Sequence, residues 1–427
     1  MRRGALLLLL AVAFSAGFYK AARRPPPPAF AVAHPPGANA EPARIRSDFA
    51  SSRLHVQTHA ASLIELKDGR IRAFWFSGSR EGARDVEIHS AVFDPARGLW
   101  GAEQEVADRG RTERALQRYV AKLGNPVPGR AADGSLWLYY VTVSLGGWAG
   151  SSITAMRSTD EGQTWDAPRR LVTSPFLNIS TLVRNGLVPY ADGTLAFPVY
   201  HEFISKFGEL LRLGAQGAVL DKQRLAPGGA GTLQPVLLVQ NADDALALMR
   251  HAGPPPHRAV TVATHDAGRH WSAPRISSLR NPDSAISAVV LADGRLLAVL
   301  NDLEQGRDAL SLMISADGGA SWKTVYQLED DRGLPKTEAA WLSRMQDRLL
   351  ASDARVATLP AEQRAAYLAS VRQAACTPGG CRTEYSYPFL LQAKNGDFHV
   401  LYTWNRTFIK HVTFTPAWLK QQLEYAP

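Results

Sequence analysis

Three aspartates recur in one local setting. Asp160 in STDEGQTW, Asp266 in THDAGRHW and Asp317 in SADGGASW all fit Ser/Thr-x-Asp-x-Gly-x-x-Trp. A carboxylate can serve as a general acid or base. These neighbours favour another use, because an aspartate placed here can accept hydrogen bonds from backbone N–H groups of the turn that follows. Gly162, Gly268 and Gly319 can supply a positive φ, and Trp165, Trp271 and Trp322 can return the chain to a core between sheets. The motif is therefore read as structural. The two cysteines, in CTPGGC, carry no sign of a catalytic nucleophile, and no spaced His/Cys cluster suggests zinc. No metal and no organic cofactor is expected. Cys376 and Cys381 flank a Pro-Gly-Gly turn, so a small disulfide-closed loop is sterically reasonable.

What positions these motifs is a series of hairpins. Acidic tight turns between apolar runs occur at Asp68, Asp133, Asp192, Asp243, Asp293 and Asn395, at intervals of 65, 59, 51, 50 and 102 residues. Asp-Gly or Asn-Gly between alternating strands is a strong hairpin signal. The motif aspartates follow their hairpin turns by 27, 23 and 24 residues, a nearly constant phase. The long last interval holds an insertion of helical character at about 335–375, where Trp341, Met345 and Leu349 recur every fourth residue and Pro360 marks a second helix start. Six units of four strands remain. Small antiparallel sheets repeating every 50 or so residues predict an all-β, six-bladed β-propeller with a helical insertion in or before the last blade.

The N-terminus differs from this body. Of the formal net charge of +9, six charges fall in residues 1–46, so the rest gives no reason to expect nucleic acid as a partner. Residues 1–24 join two arginines to an apolar run, which predicts a signal peptide or a membrane anchor. Residues 25–46 are proline-rich and predict a stiff, unfolded linker; residues 47–427 form the propeller. A periplasmic or extracellular location follows, with possible N-terminal membrane association.

The octapeptides resemble the Asp-box of the sialidase (neuraminidase) superfamily, and residues 50–415 are similar to its bacterial predicted-neuraminidase branch with BNR-like repeats. The resemblance implies a six-bladed propeller with Asp-boxes on the outer rim. It further implies arginines that grip a sugar carboxylate, a tyrosine nucleophile with a glutamate partner, and an aspartate acid. SGSREGARDVEI resembles the segment of that aspartate and nominates Asp85 with Arg80. LALMRHAG and the stretch before the last Asp-box nominate Arg250 and Arg307, and TEYSYPFLLQ nominates Tyr385. Two positions depart from the family pattern. His59 stands where the first triad arginine is expected, and Gln234 where the glutamate that activates tyrosine is expected. A glutamine cannot take a proton at neutral pH.

The residues also carry plain readings. Arg80 with Asp85 equally makes an inter-strand salt bridge, and Arg250 and Arg307 can serve in structural ion pairs. Buffered near neutrality, His59 can be a base or a packed strand residue. Tyr385 and Tyr387 flank Ser386 in an alternating strand, which points both to one face. One of His201 and Glu202 can reach the axis. Arg406, Asn125 and Asp283 can hold sugar hydroxyls, the last two more naturally making turns. The expected activity is that of an exported glycosidase acting on a sialic or uronic acid of a glycan, with an acidic oligosaccharide as partner. The alternatives are a uronate-directed lyase using His59 or Tyr385 as base, and a non-catalytic glycan- or protein-binding propeller.

Overall fold

Every blade begins from the same local chemistry. Between its first two strands a side-chain oxygen accepts from the N–H two residues on. Asp133 Oδ1 takes Ser135 N at 2.9 Å, Asp192 takes Thr194 N at 2.9 Å, Asp293 takes Arg295 N at 3.1 Å and Asn395 takes Asp397 N at 3.0 Å. Such Asx-turns leave the next glycine at positive φ, as at Gly134 (79°) and Gly396 (94°).

The structure is a computed structural model and describes residues 2–22, 26–32, 41–174, 178–226, 231–334 and 337–425. Six antiparallel sheets follow one another along the chain. Their first strands are Gln57–Glu65, Lys122–Arg130, Leu182–Val183, Thr232–Val239, Ser287–Val290 and Tyr385–Gln392. These first strands touch one another around the axis. The fold is a six-bladed β-propeller. Blade six takes its outer strand from the other end of the chain: Ile45–Phe49 pairs with Phe408–Phe414, Ile45 opposite Phe414 and Phe49 opposite Lys410. That pairing closes the ring and leaves no blade with a free seam.

The core is not one cluster but six, each in a seam between neighbouring blades. Trp165 enters the seam of blades one and two, Trp271 that of three and four, and Trp322 that of four and five. Their Asp-boxes hold them there. Asp160 Oδ1 accepts from Thr164 N (2.9 Å) and Oδ2 from Thr164 Oγ1 (2.6 Å), while Gly162 N donates to Ser158 Oγ at 2.8 Å. Asp317 repeats the pattern with Ser321 and Gly319, and Asp266 with His270 and Gly268. Hydroxyl and backbone donors from Ser321 and Ser315 hold the Asp317 carboxyl down to about 2. Burial pushes the Asp266 carboxyl up, but His270 and Thr264 outweigh it and bring it to about 2. All three boxes lie between third and fourth strands, on the face opposite the starts of the first strands.

The insertion packs on blade six as helices Glu338–Ser352, Ala354–Thr358 and Ala361–Ala375. Trp341, Met345 and Leu349 are buried, and Trp341 Nε1 donates to Thr383 Oγ1 at 2.9 Å. Cys376 and Cys381 are disulfide-bonded just beyond it. A final helix, Pro416–Tyr425, caps blades five and six.

The N-terminal expectation needs correction. Residues 25 and 33–40 of the expected linker lie outside the described residues, but 26–32 are docked rather than unfolded. Phe30 is buried against Tyr190 with ring centroids 5.1 Å apart, and Phe30 N donates to Ala242 O at 2.8 Å. Ala31 N and Ala191 N bond across the same join, so the segment adds a bridge to the blade three–four seam. The physical reason is one large aromatic among the prolines, which gains a buried seat against Tyr190. Residues 45 and 46 belong to the closing strand. Arg2–Ala22 is helical; among the described residues no helix is long and apolar enough to cross a membrane.

Candidate active site

The starts of the first strands carry a repeated irregularity. The register slips between His59 and Ser62, Gly124 and Val127, Leu233 and Val236, and Ser386 and Phe389. Inside three of these slips Ala60, Gln234 and Tyr387 have φ of 56°, 53° and 54°, and Ser180 and Asp283 adopt the same conformation just before the first strands of blades three and five. A left-handed conformation costs a non-glycine residue roughly 1–2 kcal/mol. A bulge of this kind re-aims a side chain. In blades one, four and six it therefore turns a residue at the axis out of the strand's alternation.

Blade six shows the consequence. The expectation that Tyr385 and Tyr387 share a face fails, because the bulge at Tyr387 breaks the alternation between them. Tyr385 is buried in the seam of blades five and six, its hydroxyl donating to Asp331. Tyr387 instead meets the axial residues. Its oxygen accepts from Gln234 Nε2 at 3.3 Å and from Arg250 Nη1 at 3.4 Å, and its ring lies 4.2 Å from that of His59.

Guanidinium groups gather around this phenol. Arg250 and Arg307 meet at Asp283: Arg250 Nε donates to Oδ1 at 2.6 Å, and Arg307 Nη2 to the backbone oxygen at 2.9 Å. Arg307 and Arg406 are joined by Glu384, at 3.2 and 2.9 Å, and Arg406 also holds Glu81 at 2.6 Å. Burial works to raise the Glu384 carboxyl, but Arg406 and Arg307 outweigh it and hold it low. Arg250 belongs to the second strand of blade four, whereas Arg307 and Arg406 come from loops after second strands, so all three reach the same face.

A fourth arginine had no local sequence signal. Arg184, in TLVRNG, is fully buried, and its Nη atoms donate to Ala61 O (3.0 Å), Tyr387 O (2.6 Å) and Pro388 O (2.6 Å). It links blades three, one and six across the axis. Burial lowers it to about 10, against the pull of Tyr387 and Tyr200. Asn125 likewise ties blades, donating to Val183 O at 3.0 Å and the Tyr200 hydroxyl at 3.3 Å.

His59 is buried among these cations. Burial first, then Arg406, Arg307, Arg184 and Arg250, push it well below the usual 6.5, so the ring is neutral at physiological pH. Nδ1 lies 2.8 Å from Thr403 Oγ1, and Nε2 has no partner among the described residues.

The expected acid lies in the loop after the second strand of blade one, the loop whose Glu81 holds Arg406. Arg80 and Asp85 are exposed, and both Asp85 oxygens are taken by Ser79, by N and by Oγ at 2.9 Å each. The aspartate closes its own loop and does not meet Arg80. Glu202 has the opposite character: burial raises its carboxyl above the usual 4.5, although Arg250 and Lys206 pull it down. Its side chain has no ion pair among the described residues. Among those residues no set of three His, Cys, Asp or Glu side chains could hold a metal.

A family model for a BNR repeat-like domain matches residues 69–400. Several solved structures share the fold. Hadza microbial sialidase Hz136 is 15% identical, with a TM-score of 0.60 over 84% of this chain and 66% of that one, so this chain spans about two thirds of its length. A protein of unknown function from Dyadobacter fermentans is 13% identical, with a TM-score of 0.61 over 87% of this chain and 99% of its own. The intramolecular trans-sialidase from Ruminococcus gnavus is 12% identical, with a TM-score of 0.56 over 85% and 95%. At such identities the likeness speaks for fold alone. No curated protein matches the chain in sequence. The family match over most of the chain makes this protein a member of the BNR repeat-like family, and its six blades share the fold of solved sialidases.

Proposed function

We propose that the protein is a glycosidase that cleaves a terminal carboxylate-bearing sugar, sialic or uronic acid, from a glycan. The observation that carries this reading is that Arg250 reaches the Tyr387 hydroxyl and is joined to Arg307 through Asp283, and Arg307 to Arg406 through Glu384. Guanidinium forks match a carboxylate, and a low-dielectric setting strengthens the grip. The arginines hold the sugar acid with the anomeric carbon toward Tyr387. Glu202 gives its proton to the leaving oxygen as the C–O bond breaks. Tyr387 gives up its proton to a base, Gln234 and Arg250 donate to the phenolate oxygen so formed, and its charge is spent in the new bond to carbon. With Gln234 unable to accept a proton, His59 is the neutral base of the site.

One observation favours a second reading. A glutamine beside the tyrosine and an imidazole with an uncommitted nitrogen suit proton abstraction next to a uronate carboxylate. The arginines then stabilise the enolate-like state, and the product is an unsaturated sugar. Fluorogenic sialosides and uronides, followed by both fluorescence and ultraviolet absorbance, separate the two. Turnover lost in Arg307→Ala supports the proposal. An absence of product from every acidic glycoside, with Arg307→Ala binding sugar acids as well as the native protein, refutes it.

A further inference from the structure

We propose that a groove between blades three and four binds the leaving-group side of the substrate, and that Lys206 selects an anionic sugar there. The groove encloses about 550 Å³ and is lined by Lys206, His251, prolines 254–256, Arg258 and Ile276. This inference rests on the glycosidase reading for its direction, but the groove itself does not.

The groove adjoins the arginine cluster through the strand Ala245–His251. Successive residues of a strand face opposite ways, so Arg250 serves the cluster and His251 the groove. Glu202 shares with Lys206 the loop between the strands Leu195–His201 and Phe207–Leu213; its N–H is fixed by Ser180 Oγ at 2.8 Å, and Arg250 and Lys206 both pull on its carboxyl. A proton donor belongs at the bond to be broken. Beyond that bond, the released chain extends toward Lys206.

Its walls suit a sugar. The proline rings and Ile276, which is 66% exposed, offer apolar surface for the C–H face of a pyranose, and Phe203 and Ile204 stand exposed on the loop before Lys206. Its charge is unbalanced. The Arg258 guanidinium is bound by Glu304, and the nearby Lys222 is held by Glu209 at 2.9 Å. Lys206 alone of these has no ion pair among the described residues. A half-buried ammonium beside apolar walls gains most from an anionic partner, such as a sulfate or carboxylate on the next sugar.

The test uses binding, not turnover, so its failure is separate from failure of the glycosidase reading. N-acetyllactosamine and its 6-sulfated form, neither bearing a terminal acidic sugar, are titrated by calorimetry against the native protein, Lys206→Glu and Arg307→Ala. The sulfated probe should bind about tenfold more tightly than the neutral one. That preference should vanish in Lys206→Glu and persist in Arg307→Ala. Equal binding of the two probes, no binding of the sulfated one, a preference that survives Lys206→Glu, or one that disappears in Arg307→Ala overturns the proposal.

Discussion

The Tyr387 oxygen and Gln234 Nε2 lie 3.3 Å apart, joining the first strands of blades six and four across the axis. Both residues sit in bulges at positive φ. The contact thus needs two backbone irregularities, placed more than 150 residues apart in the chain, to be built into the same end of the propeller.

Changing that contact should change the chemistry. In Gln234→Glu a carboxylate would face the phenol, and Arg250, which already donates to Gln234 Oε1 at 3.1 Å, would balance the new charge. The variant should fold and hydrolyse acidic glycosides about 100-fold faster, the scale of one added general base. Steady-state kinetics on a fluorogenic sialoside or uronide measure it. Any elimination product should decline in parallel.

The pH profile follows from two buried groups. Glu202 is held above 4.5 by burial, so a proton donor persists at low pH and is lost as pH rises through that raised value. Glu202→Gln should remove the alkaline limb of kcat/KM and slow turnover about 100-fold. His59 has the opposite sign. Its folded value is depressed, so stability is full above its ordinary 6.5 and is lost as pH falls toward the folded value, because the unfolded chain takes up the proton first. The slope reaches about 1.4 kcal/mol per pH unit. Denaturant titrations at pH 7.5 and 5.5 should show His59→Asn losing less stability than the native protein over that interval.

Phe30 fills a seam on the face opposite the site. Phe30→Ala should cost about 3 kcal/mol, the lower end for a buried phenylalanine because this one lies in a terminal strap. Chemical denaturation should register the loss, while kcat stays within a factor of two. A collapse of activity without loss of stability would assign the strap another role.

The Asp-boxes should behave alike. Asp266→Ala removes the acceptor of the turn that seats Trp271, and should lower Tm by a few degrees. Turnover should be unaffected, since the box faces away from Tyr387.

What could be read from the chain divides along the range of the interactions. The hairpins and Asp-boxes were legible because Asp133 bonds to Ser135, and Asp160 to Thr164, within a few residues. The family resemblance points to Arg250, Arg307 and Gln234; Arg250 bonds to Gln234, and both arginines bond to Asp283. The resemblance points to Tyr385, and strict alternation, which puts Tyr387 on the same face, hides a bulge that exists only where Ser386 and Phe389 pair with another strand. Asp85 carried the expected spacing, but its oxygens close a local turn that the spacing cannot reveal. Arg184 looked like any polar residue in a strand, since its partners Ala61 and Pro388 lie more than 100 residues away on either side. Ile45 and Arg46, the start of the closing strand Ile45–Phe49, read as linker for the same reason: that strand's partner lies far along the chain, 363 residues off for Asp48 and His411.

The most direct measurement compares Tyr387→Phe with Tyr385→Phe in kcat/KM on a fluorogenic acidic glycoside, with stability measured alongside. Tyr387→Phe should lose about 1000-fold in kcat/KM with little change in stability. Tyr385→Phe should keep its turnover and instead lose about 1–3 kcal/mol of stability by leaving the buried Asp331 short of a donor. The reverse pattern, with Tyr385→Phe inactive and Tyr387→Phe active, would contradict the account.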